Sequence, residues 1–116
     1  MAGLVKGDVV VVPFPFSDLT HSKRRPALVL TSLQGNDLIL CQITSKTIKD
    51  CYAVSIQEND FHFGSLHQES NARPNRLFTA DEHIILYRIG SLKKTKIDKI
   101  IYAVTEIIKS YTQRQK

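Results

Sequence analysis

Gly7-Asp8-Val9-Val10-Val11-Val12-Pro13-Phe14-Pro15-Phe16 decides the fold class. Consecutive β-branched valines favour an extended backbone, and proline cannot donate to a ladder, so the run predicts a strand that stops at the prolines. Gly7-Asp8 supplies the turn before it. Working outward, Pro26–Thr31 and Leu38–Thr44 are further apolar runs on either side of the turn Gln34–Asp37, and they read as a hairpin. Tyr52–Ile56 alternates and predicts a fourth strand. The stretch from Gln57 to Asn71 is polar and rich in His and Asn, and reads as loop. Arg76–Thr79 is a short strand at most. Thr79-Ala80-Asp81-Glu82 fits a capping box and a brief helical turn. In Ile84–Gly90 the second half reads as a strand stopped by Gly90.

At the far end, Ile97, Ile100, Ile101, Val104, Ile107, Ile108 and Tyr111 recur at intervals of three and four, the stripe of an amphipathic helix. Lys96, Asp98, Lys99, Glu106 and Lys109 lie off the stripe. Several short strands followed by one helix predict a mostly β fold, a small curled sheet or barrel with a C-terminal helix packed on it. At 116 residues the chain suits a single domain spanning 1–116, long enough for a self-supporting core.

Composition narrows the function. Sixteen Lys and Arg against eleven Asp and Glu give a net charge of +5, which suits a polyanionic partner such as nucleic acid. The longest apolar run, Val9–Pro15, falls far short of the ~20 residues of a membrane helix. No basic segment followed by an apolar one opens the sequence, so the expectation is a cytoplasmic protein without a membrane association. Cys41 and Cys51 fall in what read as neighbouring strands, and two reduced, partly buried thiols are expected rather than a disulfide scaffold. His21, His62, His67 and His83 are scattered without paired ligands, so neither a metal site nor a cofactor is expected.

Three short motifs carry reactive groups. In Lys23-Arg24-Arg25-Pro26 the proline forces Arg25 toward an extended backbone, launching a guanidinium from a stiff element. Its fork of donors suits a phosphate or a phosphorane. Ile43-Thr44-Ser45-Lys46 places two hydroxyls and an ammonium at a strand edge, where they can hold phosphate oxygens. Asn71-Ala72-Arg73-Pro74-Asn75-Arg76 repeats the arginine–proline step. If the strands following the two steps are neighbours, both guanidiniums point into one basin. His21, four residues before Arg25, offers a group that gives and takes protons near neutrality. Phe14, Phe16 and Tyr52 could stack on bases, although core is the commoner fate of such residues.

With these residues in view, the chain resembles the MazF/PemK toxins. Gly7–Leu19 and Lys23–Leu30 look like the family's opening. Ile43–Lys46, Arg73–Thr79 and Arg88-Ile89-Gly90-Ser91-Leu92 are similar to later family blocks, in the right order, so the resemblance runs from about Lys6 to Tyr111. It implies an SH3-like barrel with helices, dimerised about a two-fold axis. It implies metal-independent cleavage of single-stranded RNA through the 2′-hydroxyl, and a small acidic antitoxin as partner. The family's catalytic pair falls on Arg25 and Thr44. Arg73 matches a later arginine that serves the site in PemK-like members, and His21 matches the first-loop histidine of some members only loosely. Around them Lys23, Arg24, Ser45, Lys46, Asn75 and Arg76 are expected to hold the RNA strand. One position departs from the pattern: Asn75 stands where PemK-like members often carry an aspartate proposed as general base, and an amide cannot take a proton from a hydroxyl at neutral pH.

Two other readings compete. A relative on the same fold could bind a protein target, as CcdB toxins bind gyrase; the arginine–proline and Thr-Ser-Lys blocks argue against this. A catalytically weakened RNA-binding relative is encouraged by Asn75 alone.

Overall fold

The computed structural model describes residues 3–14 and 23–110. Seven strands form one antiparallel sheet: β1 (Asp8–Phe14), β2 (Lys23–Ser32), β3 (Asp37–Thr44), β4 (Val54–Ile56), β5 (Phe61–Gly64), β6 (Ser70–Asp81) and β7 (Tyr87–Leu92). Their order is β4-β6-β3-β2-β1-β7-β5. The helix α1 (Lys94–Lys109) follows. Register shifts interrupt the ladders at Val9/Val10, Val29/Thr31, Cys41/Gln42 and Phe61/Phe63. Each such shift bends a strand and raises its twist, and together they curl the sheet into a half-barrel.

The sheet is buried on both sides, which is why β1 to β3 read as near-continuous apolar runs. Alternate side chains go to opposite faces. Val9, Leu28, Cys41, Ile43 and Ala72 join Ile56, Phe61 and Leu92 under the helix residues Ile97, Ile100 and Val104. Val10, Val12, Ala27, Val29, Leu38, Leu40 and Ala80 form a second cluster on the other face, closed by Leu4 and Ile85. Lys96 fastens the helix from its side: Nζ donates to the Ser55 carbonyl at 2.9 Å and pairs with Asp60 at 3.4 Å. Asp8, 1 % exposed, accepts from Val5 N at 2.9 Å and pairs with Arg88 at 3.4 Å, locking the start of β1 to β7.

Several sequence expectations are corrected. β6 is the longest strand and runs straight through Arg73-Pro74-Asn75, where only Arg76–Thr79 was expected. The proline is tolerated because it sits in a bulge and owes the ladder no donor. The polar stretch after Gln57 contains a 3-10 turn, Glu58–Asp60, and all of β5. The helical turn near Thr79 is capped by Asp81, whose side chain accepts from His83 N, and covers Glu82–Ile84. β2 begins at Lys23, so Arg24 and Arg25 lie within a strand rather than at a loop's end. The helix starts at Lys94, and Ile108 is exposed rather than packed, at the border of an open hollow that Leu30, Ile39 and Leu77 also line. Cys51 lies in the link before β4 and is exposed, while Cys41 is buried in β3; both are free. Tyr111 and Phe16 lie outside the described residues.

Candidate functional site

Arg25, Thr44 and Arg73 are carried by three neighbouring strands. In the β2–β3 ladder Ala27 faces Gln42 and Leu28 faces Cys41. The pairing ends there, and Arg25 and Thr44 lie two residues further on, at the same end of β2 and β3. In the β3–β6 ladder Gln42 faces Arg73 and Thr44 faces Asn71. Ala27 and Leu40 belong to the second core cluster, so by alternation Arg25, Thr44 and Arg73 project from that same face. Side chains directly opposed across strands stand ~4.5–5.5 Å apart at Cβ and diagonal neighbours ~7–8 Å, within reach of a guanidinium. The apolar cluster thus ends, at one extremity of the strands, in a polar patch of two arginines, a threonine and two amides.

Each group has a defined setting. Arg25 is half-buried opposite Val12 and has no carboxylate partner among the described residues. Thr44 is 5 % exposed, and its Oγ1 accepts from Lys46 N at 3.1 Å. A hydroxyl also carries one hydrogen, which Thr44 can donate elsewhere. Arg73 donates from NH2 to Asp50 Oδ2 at 3.1 Å, and its Nε is buried without a partner. Asp50 also accepts from Tyr52 N at 3.0 Å and Ala53 N at 3.2 Å. The Tyr52 amide foremost, with Arg73 and Ala53, holds its carboxyl below the usual carboxylate range against the opposing pull of desolvation. Asp50 therefore pins Arg73 and the β3–β4 link together. Sequence reasoning missed it; the signal available was that it is the lone acid in the basic and hydroxyl-rich run Ser45–Tyr52.

The outer residues are distributed around this patch. Lys23 and Arg24 are exposed at the start of β2, opposite Phe14 and Pro13. Ser45 and Lys46 are exposed just past β3, and the Lys46 carbonyl accepts from Asn71 Nδ2 at 3.3 Å. Asn75 and Arg76 are exposed in the bulge of β6. His21 lies outside the described residues. His83 is held by Asp81 at 2.7 Å, at the opposite end of β6.

Beside Arg25 the surface dips into an open hollow of about 290 Å³. Arg24 and Arg25 border it, together with Tyr87 of β7 and the β5–β6 turn residues His67 and Gln68. Leu66 and Ile89, also in its lining, pack against the larger core cluster. Thr44 and Arg73 do not border it: Val11, Arg24, Pro26, Tyr87 and Ile89 line it from the face of the sheet opposite the one from which Arg25 projects. Reading Gln57–Asn71 as undifferentiated loop concealed this turn; Gly64, which closes β5, is the signal that marked it. Among the described residues no group of three or more His, Cys, Asp and Glu side chains could hold a metal ion, and no helix is long and apolar enough to cross a membrane.

Proteins of known structure share this fold. A search of curated protein sequences returns no match. Among solved structures, a mycobacterial endoribonuclease in complex with its cognate antitoxin is similar at a TM-score of 0.70 and 13% identity, over 93% of this chain and 95% of that one. The Mycobacterium tuberculosis toxin MazF-mt6 is similar at 0.68 and 17%, over 87% and 95%. MazF of a MazE–MazF crystal structure (Form-III) from Deinococcus radiodurans is similar at 0.72 and 15%, over 90% and 95%. At these identities the likeness concerns the fold. The sequence itself matches a family model over residues 5–108, nearly the whole chain, and the chain belongs to that family: the PemK-like, MazF-like toxins of type II toxin–antitoxin systems.

Proposed function

We propose that this toxin is an endoribonuclease that cuts single-stranded RNA by in-line attack of the substrate's own 2′-hydroxyl, leaving 2′,3′-cyclic phosphate and 5′-hydroxyl ends and so arresting translation. The observation that carries the reading is the strand register: Gln42 opposite Arg73 and Thr44 opposite Asn71, with Arg25 at the same end of the neighbouring β2. Two guanidiniums and a hydroxyl that are far apart in sequence thereby share one end of one face.

Arg25, without a competing carboxylate among the described residues, stabilises the charge that develops on the phosphorane. Donors fixed where charge develops are usually the largest catalytic term. Its pKa above ~12 makes it a poor proton donor, so its work is electrostatic. Thr44, already accepting from Lys46 N, is free to donate to a phosphate oxygen and orient it. Arg73, set by Asp50, clamps the same or the neighbouring phosphate. His21 is the candidate for proton transfer. Lys23, Arg24, Lys46 and Arg76 hold flanking phosphates, and Ser45 and Asn75 add hydrogen bonds. Single strands are the substrate because A-form stacking forbids in-line geometry and hides base edges. The reaction as proposed requires no metal. The active species is a homodimer in the cytoplasm, silenced by a small acidic antitoxin; one similar solved structure is an endoribonuclease in complex with its cognate antitoxin.

The test is incubation of the pure protein with long unstructured RNA in the presence of chelator, followed by end-group mapping. Cyclic phosphate or 3′-phosphate ends are expected. Arg25→Ala should cut cleavage by roughly 10²-fold or more with the circular dichroism spectrum unchanged. A near-normal rate in that variant removes Arg25 from the mechanism. Salt-sensitive binding without cutting would support the weakened RNA-binding relative that Asn75 encourages.

A further inference from the structure

Arg73 is aimed by something other than its own strand. It is the last residue of β6 paired with β3 before the bulge of Pro74, Asn75 and Arg76. On its outer side β4 has ended too, since Val54 opposite Ala72 is the limit of that pairing. A bulge bends its strand and breaks the ladder, so the backbone alone does not fix a long side chain there.

The aim comes from the link between β3 and β4, residues 45–53. Asp50 meets the guanidinium at 3.1 Å through Oδ2. Its Oδ1 is spent on the amides of Tyr52 and Ala53, at 3.0 and 3.2 Å, so the carboxylate is itself held. The link is tied at a second point, where Asn71 Nδ2 donates to the Lys46 carbonyl. Arg73 Nε is buried, while the Arg73 and Asp50 side chains are 17 % and 29 % exposed. The pair therefore lies at the border of solvent, where a phosphate can approach. Asp50 takes one hydrogen of a fork that carries five, which leaves the charge and the remaining donors for a substrate.

We infer that Asp50 is a positioning residue of the ribonuclease site: it acts through Arg73, holding the guanidinium where it meets the scissile phosphate, and takes no proton itself. The inference rests on the RNA reading above and deepens it. Asn75 leaves the margin of the patch without a carboxylate, and Asp50 is no substitute base, because three donors already occupy its oxygens. Its work is orientation. A guanidinium held in advance needs no rearrangement when charge develops, and a small misplacement of such a group costs rate.

The experiment is a double-mutant cycle on the full chain, with an RNA that the wild type cuts, read under single-turnover conditions. Asp50→Asn keeps an oxygen for the Tyr52 and Ala53 amides but turns an NH2 toward Arg73, so it unties the arginine and spares the turn. Alone it should slow the cutting step roughly tenfold. The RNA concentration at half-maximal rate should stay within about twofold, because the arginine keeps its charge and loses only its aim. In an Arg73→Ala background the same substitution should change neither quantity. By NMR, the Arg73 Nε proton should exchange with water faster in Asp50→Asn than in the wild type. Equal losses in the two backgrounds, a normal rate in Asp50→Asn, or an unmoved Nε exchange rate would each overturn the inference and leave the endoribonuclease reading standing. A wild-type chain that cuts no RNA removes that reading and the inference with it.

Discussion

Replacing Gly64 by alanine tests how the β5–β6 turn is held. Two costs are visible. A left-handed backbone costs a non-glycine residue about 1–2 kcal/mol. The added methyl would also meet the carbonyl of Ile89, which is strand backbone and cannot swing aside as a side-chain tip can. Forcing β5 away from β7 is an overpacking cost of about 1–3 kcal/mol. The sum is about 2–5 kcal/mol. Gly35, in the β2–β3 turn, is the internal control: its φ is +79°, yet a Cβ there meets nothing within 4 Å, so Gly35→Ala should cost the backbone contribution alone. Urea denaturation of both variants decides the matter. With a slope of ~1.5 kcal/mol/M, Gly64→Ala should lower the midpoint by roughly 1–3 M and Gly35→Ala by roughly 1 M, both with the slope unchanged. Equal midpoints for the two would refute the contact between the turn and β7.

The two cysteines should differ in reactivity and in their effect on alkaline stability. Burial pushes the Cys41 thiol up to about 12 from 9.0, whereas Cys51 is exposed. One thiol per folded chain should react with iodoacetamide at pH 8, and peptide mapping should place the label on Cys51; rapid labelling of Cys41 contradicts the structure. The native state keeps the Cys41 proton where the unfolded chain gives its up, so its contribution is complete below about pH 9 and is lost as pH rises toward about 12. Chemical denaturation of a Cys41→Ala variant should show a shallower alkaline decline than the wild type. For Asp50 the sign is opposite: its folded pKa lies below 3.8, so the tie among Asp50, Tyr52, Ala53 and Arg73 is present above that value and lost as pH falls through the lowered one. The amide shifts of Tyr52 and Ala53 should titrate with a midpoint below 3.8, and a midpoint at or above it would break the assignment.

The legible parts of the fold were those where local and tertiary preferences agree. The valine run of β1, the hairpin of β2 and β3, and the isoleucine stripe of α1 bury the faces that their periodicity marks. The illegible parts lie where a long-range contact overrides local chemistry. Phe61-His62-Phe63-Gly64 looks like loop until Gly90 of β7 offers it a partner: a Cβ on Gly90 would lie 2.6 Å from the Phe63 carbonyl oxygen, so the two chains approach more closely than side chains allow. Ser70–Asp81 contains a proline and few apolar residues, yet it is a strand because β3 and β4 pair with it from both sides. Arg25, Thr44 and Arg73 could be named from residue type and resemblance. Asp50 could not, since its pairing partner is 23 positions away.

The bulge in β6 shows why register, rather than motif, assembles the candidate site. From the turn end, the β3–β6 ladder runs from Asp37 opposite Asp81 to Cys41 opposite Leu77. Extended without interruption, it would place Arg76 opposite Gln42 and Pro74 opposite Thr44. Instead, Pro74, Asn75 and Arg76 are looped out, and the ladder resumes with Arg73 opposite Gln42 and Asn71 opposite Thr44. The bulge thus chooses which of two arginines reaches the patch, removes a residue without an N–H from the ladder, and brings Asn71 to where its amide ties β6 to the Lys46 carbonyl. It also explains how Asn75 can stand at a position where related toxins often carry an acid. The residue sits on an exposed bulge rather than in the ladder that sets Asn71 opposite Thr44. What that exchange removes is a carboxylate at the margin of the patch; the register that sets Arg73 opposite Gln42 and Asn71 opposite Thr44 does not depend on it.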